Sequence, residues 1–231
     1  MTLETVFLDA GGVLIYPNWW RVSEALAAQG VTLSPEALIE ADPPARRELD
    51  DQGVIGGTTD ASRGWLFFDL ILAHAGMPRS EATAAALAEL HRYHTASNLW
   101  EYVPGYVVPF LERLRARGLR LVVVSNANGT LLKHMDRLDL TRRFDCVLDS
   151  ADEGVEKPDP RFFEIALARS GARKETTIHV GDLYHVDVVG ARSAGLRGVL
   201  LDEADLRPDA DCPRVRSLDE LASRIAAGEF D

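Results

Sequence analysis

Short apolar runs bounded by turn residues recur along the chain as "TVFLD", "LRLVVVSN", "DCVLDS", "TTIHVGD" and "RGVLL", and each has the length of a strand buried on both faces. Helical patterns fill the spaces between them: "PGYVVPFLERLRARG", with Pro104 near its start and Gly118 at its end, then "NGTLLKHMDRLDL", "DPRFFEIALARSG" and "VDVVGARSAG". Strands alternating with helices predict a doubly wound, parallel α/β sheet, closed by a last helix at "SLDELASRIAAG".

The first strand breaks this rhythm, because about ninety residues beyond Ile15 contain no strand candidate. Helical stretches are expected there at Trp19 to Gln29, Pro35 to Asp51, Thr58 to Ala75 and Ser80 to Ser97. The expected division is an α/β core of residues 1–15 and 103–231 and an inserted helical subdomain of residues 16–102, which the resemblance given below identifies with a cap. Pro43 and Pro44 should kink or divide the second of these helices, and "QGVIGGTTD" reads as a Gly-rich break before the third. Trp19 and Trp20 read as cap packing, "GWLFFDLIL" as the cap's apolar interior, and Gly105 and Gly195 as helix starts, turns and close packing.

With 231 residues, 46% of them hydrophobic, the chain can bury a substantial core. Its formal charge of -11 opposes nucleic acid and anionic membranes as partners. Cys146 and Cys212, far apart, make neither a disulfide framework nor a cysteine-rich zinc site, and a reducing cytoplasm fits best. No basic region precedes an apolar stretch at the N-terminus and no segment has the length and apolarity of a membrane span, so neither export nor insertion is expected.

Ligands of an open parallel sheet bind beyond the carboxyl ends of its strands, near the point where strand order reverses. Those ends carry Asp9, Ser125 with Asn126, and Gly181 with Asp182, while Asp187 follows at a helix start and Lys157 lies in "VEKPDP". Phosphoryl transfer needs an in-line nucleophile, a divalent cation and donors around the equatorial oxygens. Asp9 suits the nucleophile, Asp9 with Asp182 a Mg²⁺ site of hard oxygen ligands, Ser125 a phosphate donor and Lys157 a neutralising charge. Gly11 and Gly12 let backbone N–H groups approach an anion closely. The chain uses only Lys133, Lys157 and Lys174 among many arginines, so a lysine beside this cluster points to a compact point charge.

These residues resemble the motifs of the haloacid dehalogenase superfamily, mostly phosphatases with a helical cap inserted after the first strand. "FLDAGGVL", "VVVSN", "EKPDP" and "VGDLYHVDVVGARSAG" follow in the family's order across the chain. The resemblance implies a Rossmann-like core with Asp9, Ser125 and Lys157 as catalytic residues. It implies phosphate binding by Gly11, Gly12, Ser125, Asn126 and Lys157, and Mg²⁺ held by Asp9, Asp182 and the Gly11 carbonyl, with Asp187 supporting the metal or the lysine. The expected activity is that of a Mg²⁺-dependent phosphatase acting on a small phosphorylated metabolite through an aspartyl-phosphate at Asp9.

One position departs from the pattern. The family's phosphatases carry a second Asp two residues after the nucleophile, as proton donor and base, and here that residue is Gly11. His185, between Asp182 and Asp187, reads first as a surface loop histidine and second as a replacement acid; Tyr16 and His94 are weaker candidates. Cleavage of a carbon–halogen or carbon–phosphorus bond, and a non-catalytic phosphate-binding or interaction module, stand as alternatives.

Overall fold

The computed structural model describes residues 2–77 and 79–231. They form two compact units: the described residues up to Leu14 with Val103–Asp231, and the helical stretch Ile15–Tyr102.

The first unit is built on β1 (Thr5–Leu8), β2 (Arg120–Ser125), β3 (Cys146–Asp149), β4 (Thr177–Gly181), β5 (Arg197–Leu201) and β6 (Arg214–Val215). All pair in parallel, in the order β3-β2-β1-β4-β5-β6. The five apolar runs are the first five strands; the sixth, only two residues long, carries too short a pattern to be read from sequence. From β1 the chain builds outward through β2 and β3, then crosses to the other side of β1 to begin β4. The switch point therefore lies between β1 and β4, where Phe7 stands opposite His179 and Leu8 opposite Val180.

The core helices are α6 (Val107–Ala116), α7 (Leu131–Arg137), α8 (Ser150–Glu153), α9 (Pro160–Ser170), α10 (Val189–Ser193) and α11 (Leu218–Ala226), numbered after the five of the other unit given below. Phe162, Phe163 and Ala166 of α9 and Ala191 of α10 bury the face that carries Phe7, Val122 and Val124. Local chemistry sets where α9 begins: Asp159 caps it by accepting the Arg161 N–H, and Pro160 occupies the first turn, where no N–H is needed. Gly198 lets β5 lie directly on the turn before α10, since a Cβ there would meet Val188 Cα and Cγ1 at 2.9 Å.

The helical unit contains α1 (Trp19–Ala28), α2 (Pro35–Leu49), α3 (Gln52–Gly57), α4 (Asp60–His74) and α5 (Glu81–Ser97). Trp19, Leu26, Leu38, Phe67, Phe68, Ile71 and Leu90 share its core, while Trp20 is exposed and its ring sits 5.3 Å from that of Tyr102. Reciprocal Thr59–Ser62 and Ser80–Thr83 capping boxes start α4 and α5. One expectation fails here and another is narrowed, since the second helix is not divided. The stretch expected as a break forms α3, because the Asp51 carboxylate accepts the Gly53 N–H and starts a turn. Helix α2 runs undivided through Pro43 and Pro44, since the carbonyls they leave without an N–H partner belong to exposed Ile39 and Glu40, where water can serve them. Cys146 and Cys212 are free thiols. No helix among the described residues is long and apolar enough to cross a membrane.

Two glycines test this packing in opposite directions. Gly198→Ala must move the Val188 backbone and should lose about 1–3 kcal/mol. Gly64→Ala, inside α4 with open space around its Cβ, should gain about 0.5–1 kcal/mol by helix propensity. Urea unfolding reads both: all four tryptophans lie in the helical unit, so their fluorescence follows Gly64→Ala and far-UV dichroism follows Gly198→Ala.

Candidate active site

Three strand ends and two connecting loops of the sheet unit bring the charged residues together. Asp9 follows β1, its N–H bonded to the Val180 carbonyl of β4 across the switch point at 2.9 Å. Its Oδ1 accepts the Ala10 N–H at 2.8 Å and faces Lys157 Nζ at 3.0 Å. Immediately after it the chain turns sharply, with the Leu14 N–H on the Ala10 carbonyl and Gly12 at φ +75°, a conformation that a side chain would strain.

Lys157 is 1% exposed, and its ammonium also donates to Asp187 Oδ1 at 2.7 Å. Burial alone would lower its pKa, but the carboxylates of Asp187 and Asp9 outweigh that and hold it above the ordinary lysine value. Its backbone is fixed by Asn126, whose Oδ1 accepts the Lys157 N–H at 2.7 Å and whose Nδ2 donates to the Lys157 carbonyl at 3.0 Å. The Asn126 side chain, expected at the phosphate, thus also ties the loop that carries the lysine. Ser125, at the end of β2, is 4% exposed and its hydroxyl makes one long contact, 3.5 Å to the Asn126 carbonyl.

Asp187 lies in a π-helical turn, Tyr184–Val188, just ahead of α10. Its Oδ2 accepts the Leu183 N–H at 3.1 Å, and its Oδ1 takes both Lys157 and His179 Nε2, the latter at 3.0 Å. Burial raises its pKa, yet Lys157 and His179 together hold it well below the usual carboxylate range. The carboxylate leans so closely on β4 that a Cβ at Gly181 would meet its Cγ at 2.0 Å. That contact is the physical reason for glycine before Asp182.

Ligand oxygens from Asp9, Asp182 and Asp187 lie within 4.8 Å of one another. With Lys157 these side chains carry a formal charge of −2. An all-oxygen donor set with that charge fits a hard divalent cation such as Mg²⁺, in preference to a metal that prefers sulfur or imidazole.

His179 is the residue that sequence reasoning missed, because "TTIHVGD" reads as one buried apolar strand. It is fully buried on the face shared with Phe7, its ring 4.9 Å edge-on from Phe163. A polar residue inside a central strand was the available signal. Of the other proton-donor candidates, His185 packs edge-on to Tyr184 at 5.1 Å. Tyr16 and His94 belong to the helical unit, where His94 Nδ1 accepts the Leu99 N–H.

A family model for haloacid dehalogenase-like hydrolases matches residues 3–195. The human haloacid dehalogenase-like hydrolase domain-containing protein 3 is 33% identical over 196 residues, covering 82% of this chain and 75% of that one. A glyceraldehyde 3-phosphate phosphatase from Methanopyrus kandleri is 32% identical over 243 residues, covering 97% of this chain and 99% of its own. Among solved structures, the magnesium-bound HAD hydrolase YfnB from Bacillus subtilis superposes with a TM-score of 0.69 at 18% identity, over 97% of this chain and 99% of that one.

Burial holds the pKa of His179 below its ordinary 6.5, against the pull of Asp187. A depressed folded-state pKa means that the unfolded chain takes up the proton first. The associated stability is therefore complete above pH 6.5 and is lost as pH falls below it, by at most about 1.4 kcal/mol per pH unit. Urea midpoints of the metal-free protein at pH 7.5 and 5.5 should fall further in wild type than in His179→Leu; parallel losses would refute the assignment.

Proposed function

The chain belongs to the haloacid dehalogenase-like hydrolases, and on that footing we propose that it is a Mg²⁺-dependent phosphatase of small phosphorylated molecules, working through an aspartyl-phosphate at Asp9. The observation that carries this reading is the shared Lys157 ammonium, 3.0 Å from Asp9 and 2.7 Å from Asp187, beside a cluster of three carboxylates. The full-length similarity to a phosphatase supports the reaction class.

Asp9 Oδ1 is held by Lys157 and the Ala10 N–H, which leaves Oδ2 for in-line attack on phosphorus. The new bond joins that oxygen to phosphorus while the ester P–O bond breaks, its electron pair leaving with the alcohol oxygen. Lys157 balances charge on the nucleophile before attack and on the phosphoryl oxygens during transfer. Ser125 and the N–H groups of Gly11 and Gly12 supply donors to those oxygens. Asp9, Asp182 and the Gly11 carbonyl would hold Mg²⁺, which when bound withdraws charge from the phosphoryl group. Asp187 serves chiefly the lysine, since Lys157, His179 and the Leu183 N–H already occupy its oxygens. Water then attacks phosphorus of the aspartyl-phosphate, releasing phosphate and restoring Asp9.

Mg²⁺ should raise the melting temperature of wild type and do so much less in Asp182→Ala, because a carboxylate cluster of net negative charge is relieved by a cation. Turnover of p-nitrophenyl phosphate should require Mg²⁺ and vanish in Asp9→Asn. A cation-independent release of halide from haloacids, with no phosphate turnover, would replace this reading by dehalogenation.

Gly11 sets the leaving-group preference. No carboxylic acid stands there to protonate a departing alkoxide, and general acid or base assistance is worth about a hundredfold to ten-thousandfold. Aryl and acyl phosphates, whose leaving groups are stable as anions, should therefore turn over well ahead of simple alkyl phosphates. Slow activation of water should also let the Asp9 adduct accumulate. Intact mass after brief exposure to acetyl phosphate and Mg²⁺ should show the added phosphoryl group in wild type and none in Asp9→Asn; equal rates on alkyl and aryl esters with no adduct would place the proton donor elsewhere.

A further inference from the structure

His179 is costly where it stands. Its ring is fully buried in β4 among Phe7, Phe163 and the strands on either side, and Nδ1 has no hydrogen-bond partner among the described residues. An aliphatic residue would fill the same space without burying a polar ring. Among the described residues its side chain makes one hydrogen bond, Nε2 to Asp187 Oδ1 at 3.0 Å. The acceptor is a carboxylate, so Nε2 carries the proton and donates it.

We propose that His179 is a positioning residue for the lysine, acting through Asp187; the catalytic consequence rests on the phosphatase reading above. The Asp187 carboxylate is gripped at both oxygens, Oδ1 by His179 and Oδ2 by the Leu183 N–H, and cannot rotate to follow the ammonium. Because Oδ1 is shared between His179 and Lys157, only part of its attraction falls on Lys157. The ammonium then stays divided, 2.7 Å from Asp187 and 3.0 Å from Asp9, with a third N–H left for a phosphoryl oxygen. Without the imidazole, Asp187 would draw Nζ toward itself and away from the nucleophile. The lever is geometric, since the side chain reaches the lysine only through Asp187.

Two variants test this. His179→Leu removes the donor and keeps an apolar filling; His179→Gln returns an amide N–H at the Nε2 position. The expected result for His179→Leu is a melting temperature no lower than wild type, kcat on p-nitrophenyl phosphate down about tenfold to a hundredfold, and KM nearly unchanged. His179→Gln should recover most of the kcat. In crystal structures of the metal-free protein, Lys157 Nζ should have left hydrogen-bond distance of Asp9 in His179→Leu and regained it in His179→Gln. Wild-type kcat in His179→Leu would overturn the proposal, as would loss of activity only in step with loss of fold and no recovery in His179→Gln. A His179→Leu structure with Nζ still bonded to both carboxylates would overturn it whatever the activity. Absence of phosphate turnover in wild type would remove the phosphatase reading alone, and the crystallographic comparison would still decide the role of His179.

Discussion

A lysine ammonium buried to 1% exposure between two carboxylates is the interaction on which the site depends. Isolated in such a place the ammonium would surrender its proton; paired, it remains a fixed positive charge. Much of the nearby sequence is explained by keeping that charge where it is. Asn126 engages the Lys157 backbone through both Oδ1 and Nδ2, Asp187 balances the charge, and Gly181 makes room for Asp187. Gly190 makes room for Pro158, the residue after Lys157, since a Cβ there would meet Pro158 Cα at 2.9 Å. Breaking one partner would strand a buried charge, so these positions stand or fall together.

Topology decides which groups the lysine can serve. The sheet is extended on one side of β1 by β2 and β3 and on the other by β4 to β6, which puts the switch point between the parallel neighbours β1 and β4, and Asp9 and Asp182 follow these two strands at the same end of the sheet. The bond from the Asp9 N–H to the Val180 carbonyl fixes the two strand ends in register beside the carboxylate cluster.

The sequence announces this arrangement unevenly, for physical reasons. Asp9, Ser125 and Asp182 were legible because polar residues that end buried strands interrupt an apolar pattern, and alternation with helices fixes which end of the sheet they share. Lys157 was legible through its rarity and its Pro-rich surroundings. The contacts of Asn126 and His179 were not, because they run across about thirty and eight positions of chain that no local pattern encodes. Helix α3 was hidden by its glycines; it is held by the Asp51 cap at its start and, at its end, by the Thr58 hydroxyl on the Val54 carbonyl and by Arg63 on the Ile55 and Thr58 carbonyls.

The long insertion after β1 is compatible with so tightly specified a sheet because its two ends are tied to each other. Tyr16 and Tyr102 exchange both backbone hydrogen bonds, at 2.8 and 3.0 Å, as an antiparallel pair. The Asn18 N–H adds a bond to the Leu99 carbonyl, and the Asn18 side chain donates to Glu101, which also accepts the Tyr93 hydroxyl. Entry and exit therefore lie one hydrogen bond apart, so the helical unit joins the chain between β1 and α6 as a closed loop with its own apolar core. The entropy of closing a longer loop grows only logarithmically, while that core brings its own stabilisation. An insertion of this construction adds a separately packed surface and asks nothing of the register that places Asp9 against Lys157.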